Sequence, residues 1–60
     1  MSQDSTRRLL REFGVAVTTF EDAVEAKQGE AARKAEGVLR ERMKELIALV
    51  ERLSEQAARQ

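Results

Sequence analysis

Cysteine, histidine, proline, tryptophan and tyrosine are all absent from this chain of 60 residues. Without cysteine there are no disulfides, thiolate nucleophiles or zinc fingers. Without histidine, the usual proton shuttle and the commonest transition-metal ligand are missing. A glutamate or lysine would need burial to take over acid–base work, and a chain this short buries only about 60% of the surface of its unfolded form. We therefore expect no enzyme activity, no cofactor and no bound metal.

An excess of charge of one sign is also lacking, because eleven lysines and arginines balance eleven aspartates and glutamates. A neutral balance argues against a dedicated nucleic-acid or membrane-surface protein, although a local patch can survive it. No apolar run approaches the roughly 18 residues of a membrane span. The first eight residues are not followed by the apolar stretch of a signal peptide. These features predict a cytoplasmic location.

Helix-forming residues dominate what is present, chiefly Glu, Ala, Arg, Leu and Lys. Apolar residues recur at alternating steps of four and three, which is the spacing of a heptad repeat. In the first half the stripe consists of Thr6, Leu10, Phe13, Val17, Phe20 and Val24, widened by Leu9, Ala16 and Ala23. In the second half it consists of Leu39, Met43, Leu46, Val50, Leu53 and Ala57, widened by Val38, Ile47 and Leu49. The pattern predicts two amphipathic helices with wide apolar faces.

The two stripes do not share one register, because the rhythm that runs through Val24 reaches Val38 instead of Leu39. Gly29 lies between them and follows Lys27, as a C′ glycine follows a cationic last turn. We therefore predict one all-α domain over residues 1–60, a two-helix antiparallel hairpin. Helix 1 covers about 4–27, the turn lies near 28–30 and helix 2 covers about 31–58.

Two alternatives to this hairpin remain open at the level of sequence. One is an uninterrupted helix of about 90 Å with a stutter near residue 35. The other is a short helix that ends at Phe13, before Gly14, with a new helix that starts near Thr19, because Thr18 and Glu21 have the spacing of a capping box.

Stripes this wide cannot be covered by a single hairpin, and a small chain without disulfides or metal depends on association for stability. We therefore expect self-association into a four-helix bundle or coiled-coil assembly, with a homodimer as the favoured form. The predicted oligomer core consists of Leu10, Phe13, Val17, Phe20, Val24, Leu39, Met43, Leu46, Val50 and Leu53.

The densest positive patch consists of Arg7, Arg8 and Arg11. It lies near the start of helix 1, where the helix macrodipole favours acidic residues. That placement indicates an acidic partner, either a protein surface or a phosphate backbone. The competing interpretation is that these arginines pair with Asp4 and Glu12, or with acids on a neighbouring chain. A second basic set, which consists of Arg40, Arg42 and Lys44, is interleaved with acids and is typical of a helix laced with ion pairs.

The leading functional prediction is a self-associating interaction module that acts as a scaffold, adaptor or regulator of a larger protein partner. One alternative is a small nucleic-acid-binding regulator that uses the arginine patch. The other is a heteromeric subunit of the chaperone or antitoxin kind, whose apolar face is completed by a different protein.

Overall fold

The chain folds into two helices joined by a short turn. The computed structural model describes residues 2–60, with side chains described from residue 4 onward. Helix α1 covers Ser2–Glu25 and helix α2 covers Gly29–Arg59. The helices pack against each other in an elongated body of 48 × 17 × 12 Å. The prediction of an all-helical hairpin is confirmed, and the alternative of one uninterrupted helix is wrong.

Helix α1 passes through Gly14 without a break. The Thr18 hydroxyl donates to the Gly14 carbonyl at 2.7 Å and lies 3.2 Å from the Val15 carbonyl. Thr18 therefore bonds back to its own helix, an arrangement that threonine adopts within helices, and it does not cap a new one. The alternative of a break near this glycine is wrong.

The turn between the helices forms a Schellman motif, the common hydrogen-bonded end of a helix. The Gln28 amide donates to the Ala23 carbonyl and the Lys27 amide donates to the Val24 carbonyl, both at 3.0 Å. Lys27 has a φ of 59° and therefore occupies the left-handed C′ position. The sequence pattern placed Gly29 in that role and the turn at 28–30, whereas Gly29 is the first residue of α2.

Replacing Lys27 with glycine should stabilise the protein by about 1 kcal/mol, because a side chain in the left-handed region is strained and glycine is not. Urea denaturation followed by circular dichroism measures the change in the free energy of unfolding. Lys27→Ala is the matched control, since it removes the charge and keeps the strained Cβ. Equal stability of the two variants would show that the backbone strain contributes nothing.

The seam between the helices is lined by small residues and by one side of each apolar stripe. Its most buried members are Ala16, Ala23 and Ala35, which are 5%, 7% and 8% exposed. The half-buried members are Thr6, Leu9, Phe13, Val17, Phe20, Ala32, Glu36, Leu39, Arg42, Leu46 and Leu49. Alanine lets two helix backbones approach closely. Ala16 and Ala23, which were predicted to flank the first stripe, therefore lie at the centre of the seam. The seam is consequently narrow, and no side chain of the described residues is fully buried.

Candidate interaction surface

One side of the hairpin is marked by a groove that both helices line. Its walls include Glu12, Val15 and Thr19 from α1 together with Val38 and Arg42 from α2, and its volume is about 480 Å³. On α1, Glu12, Val15 and Thr19 lie to one side of the buried Ala16. Helical geometry therefore places Phe13, Val17 and Phe20 on its other side.

The opposite side carries five of the eight exposed large apolar side chains of the described residues, and we call it the apolar face. The same helical geometry places the large residues of this face next to three seam residues, Phe13 and Phe20 on α1 and Leu46 on α2. The apolar face consists of Leu10, Val17, Val24, Met43, Ile47 and Val50. Five of these residues are 44–58% exposed, and Val17 is half-buried.

Five of the ten residues of the predicted oligomer core therefore lie on the apolar face, namely Leu10, Val17, Val24, Met43 and Val50. Phe13, Phe20, Leu39 and Leu46 are half-buried along the seam. Leu53 is 52% exposed, and it lies in the last part of α2, which is seven residues longer than α1. Their burial in an oligomer stays a prediction, because a single chain does not test it.

The side that carries the groove is the charged face of the hairpin. Arg42 Nη1 lies 2.9 Å from Glu45 Oε2 on the same helix and 3.6 Å from Glu12 Oε1 on the other. Among the described residues, this contact with Glu12 is the ion pair that joins the two helices. Arg42 is half-buried at a seam position, where one polar residue favours a particular alignment of two helices.

The predicted patch of Arg7, Arg8 and Arg11 is exposed on α1. None of the three arginines forms an ion pair with any residue whose side chain the structure describes. Glu12, which was expected to neutralise them in one interpretation, pairs with Arg42 instead. The patch is therefore available to an acidic partner.

Acidic residues collect at the other end of the same helix. Glu21, Asp22 and Glu25 are exposed and have no ion-pair partner among the described side chains. Within the described part of the chain, no three or more His, Cys, Asp or Glu residues are grouped as metal ligands would be. Neither described helix combines the length and apolar character needed to cross a bilayer.

Comparisons of the chain with protein-family models, with curated proteins and with solved structures give no match. No role is therefore carried over to any of its residues from a relative.

Proposed function

We propose that this protein is a non-catalytic, self-associating interaction module, whose apolar face packs against a second copy to form a four-helix bundle. The bundle then acts as a scaffold, adaptor or regulator of a larger protein partner. The observation that carries the proposal is the apolar face itself: five of its six large side chains are exposed, whereas the buried residues of the described part of the chain are three alanines. Such a face marks an interaction site when it is exposed on a small chain.

The exposed area of the hairpin supports the same proposal. The chain exposes 5157 Å², whereas a compact protein of its 6.8 kDa mass exposes roughly 4,000 Å². The excess of about 1,200 Å² is larger than the roughly 800 Å² that each partner buries in an interface of standard size. The exposed area is therefore large enough for the hairpin to bury an interface of standard size against a second copy.

Thermal melting at several protein concentrations tests the proposal. For a folded dimer, a hundredfold increase in concentration should raise the melting temperature by on the order of 10 °C, because association stabilises the folded state by mass action. Far-UV circular dichroism, which reports helix content, follows the transition. A melting temperature that is independent of concentration, together with the mass of a single chain, would contradict self-association.

The exposed patch of Arg7, Arg8 and Arg11 favours a second candidate function, which is contact with an acidic ligand. An acidic protein surface is preferred over a nucleic acid, because a chain with no net charge does not steer a polyanion from a distance. Gel shifts with duplex DNA and with structured RNA, repeated at several salt concentrations, test the nucleic-acid version. If it holds, Arg8→Gln and Arg11→Gln should each reduce the salt slope by about 0.7–0.9, and no shift by the parent protein would reject it.

A further inference from the structure

The charges of α1 are separated along its length. Its N-terminal half carries Arg7, Arg8 and Arg11 together with the acids Asp4 and Glu12, whereas the charged residues of its C-terminal half, Glu21, Asp22 and Glu25, are all acidic. This order opposes the helix macrodipole, which favours acids at the start of a helix and bases at its end. Only Asp4 follows the favourable order in the first turn, and the last turn has no basic residue. Neither cluster is neutralised by an ion pair within the described hairpin.

The charges of α2 are arranged differently, because acids and bases alternate and pair locally. Arg40 Nη2 lies 2.6 Å from Glu36 Oε2, and Lys44 Nζ lies 3.7 Å from Glu41 Oε2. Arg42 is paired with Glu45 in the same way. The helix that best complements an α1 helix, basic at one end and acidic at the other, is therefore another α1 helix running in the opposite direction.

A row of α1 residues shows where such helices would meet. Arg7, Gly14 and Glu21 are seven residues apart, so they lie in one line along the helix beside the apolar row of Leu10 and Val17. Gly14 is the midpoint of this row and lies near the middle of α1. In two antiparallel copies related by a two-fold axis at Gly14, positions at equal distances on opposite sides of that glycine face each other.

The packing of the hairpin does not account for the missing side chain at Gly14, nor for that at Gly37 on α2, but Gly14 is the glycine that lies in the row of Arg7 and Glu21. Gly14 is exposed, and a Cβ atom placed on it would have no neighbour within 4 Å. A glycine inside a helix costs about 1 kcal/mol relative to alanine, and it permits the backbone of another segment to approach closely. A second helix that packs against α1 at Gly14 would explain why this position has no side chain, whereas the contacts within one chain do not explain it.

We infer that the second copy lies with its α1 antiparallel to that of the first, with the two-fold axis at Gly14. Arg7 of each chain then pairs with Glu21 of the partner subunit, so the dimer contains this ion pair twice. The inference rests on the proposed self-association and specifies its geometry. It also places the loops of the two hairpins at opposite ends of the bundle.

Cysteine cross-linking tests this geometry, because the chain has no cysteine of its own. Under mild oxidation the Gly14→Cys variant should become mostly disulfide-linked dimer, since two Cα atoms within about 7 Å can be bridged. Val15→Cys, which points to the charged face, is the matched control and should stay mostly uncross-linked. A dimer by mass that does not cross-link through position 14 would overturn the geometry alone, whereas a single-chain mass for the parent protein would overturn self-association as well.

Charge reversal provides an independent test. Arg7→Glu and Glu21→Arg should each raise the dissociation constant of the dimer by about tenfold, because each creates two like-charge contacts per dimer. The double variant should return to within about threefold of the parent, since both pairs are restored with their charges exchanged. Each single change agrees with the macrodipole of α1, so a loss of affinity would not reflect a weaker helix. A double variant no tighter than the single variants would show that α1 meets another surface, such as α2 of the partner subunit.

Discussion

Replacing Val50 with aspartate should dissociate the protein into single chains. Val50 belongs to the apolar face and is 58% exposed in the hairpin, but it becomes buried if that face is covered by a second copy. An unpaired carboxylate at such a position loses its hydration and gains no partner, which costs several kcal/mol. The dissociation constant should consequently rise by at least about a hundredfold, because each 1.4 kcal/mol changes it tenfold. Sedimentation equilibrium measures this constant directly.

Val38 provides the matched control for this experiment. It lies on the same helix, is 50% exposed and lines the groove on the charged face. Val38→Asp introduces the same charge in place of the same residue, and it should leave the dissociation constant within about threefold of the parent because exposed substitutions have small effects. Equal effects of the two substitutions would mean that the apolar face is not the interface.

The second large effect is expected at Phe20. Its side chain is half-buried in the seam between α1 and α2 and borders the apolar face. Truncating a well-packed phenylalanine to alanine costs about 3–5 kcal/mol, which is most of the stability of a small protein. Phe20→Ala should therefore be largely unfolded, or melt far below the parent, at concentrations where the parent is fully helical. Urea denaturation gives the change in the free energy of unfolding.

Val15→Ala serves as the comparison for Phe20→Ala. Val15 is 60% exposed and lines the groove on the charged face, so its truncation should change stability by no more than about 0.5 kcal/mol. If Phe20→Ala melted like the parent, the seam would not depend on this side chain and its assignment to the core would be wrong.

The heptad spacing, the register change after Val24 and the position of Gly29 together predicted an antiparallel helical hairpin, but they did not predict which residues form the seam. Leu10 and Val24 fit the stripe by hydrophobicity, yet they are 49% and 54% exposed. Ala16 and Ala23 are buried instead. Hydrophobic periodicity weights large side chains, whereas the closest approach of two helices depends on small ones.

Other features depend on contacts that local patterns do not record. The contact of Arg42 with Glu12 joins residues on different helices, so no short spacing in the sequence predicts it. The pair of Glu36 and Arg40, in contrast, has the i,i+4 spacing that favours an ion pair within one helix, and the two side chains are in contact. At the turn, the glycine signal lay two residues beyond the left-handed position, which Lys27 occupies. Sequence rules give the preferred residue for that conformation and do not require it.

The absolute mass of the purified chain, measured by light scattering during chromatography, tests the central claim most directly. Self-association through the apolar face predicts about twice the 6.8 kDa mass of one chain at high concentration, and a fall toward the single-chain mass on dilution as the dimer dissociates. A mass of one chain at every concentration, from a sample that is fully helical by circular dichroism, would contradict it.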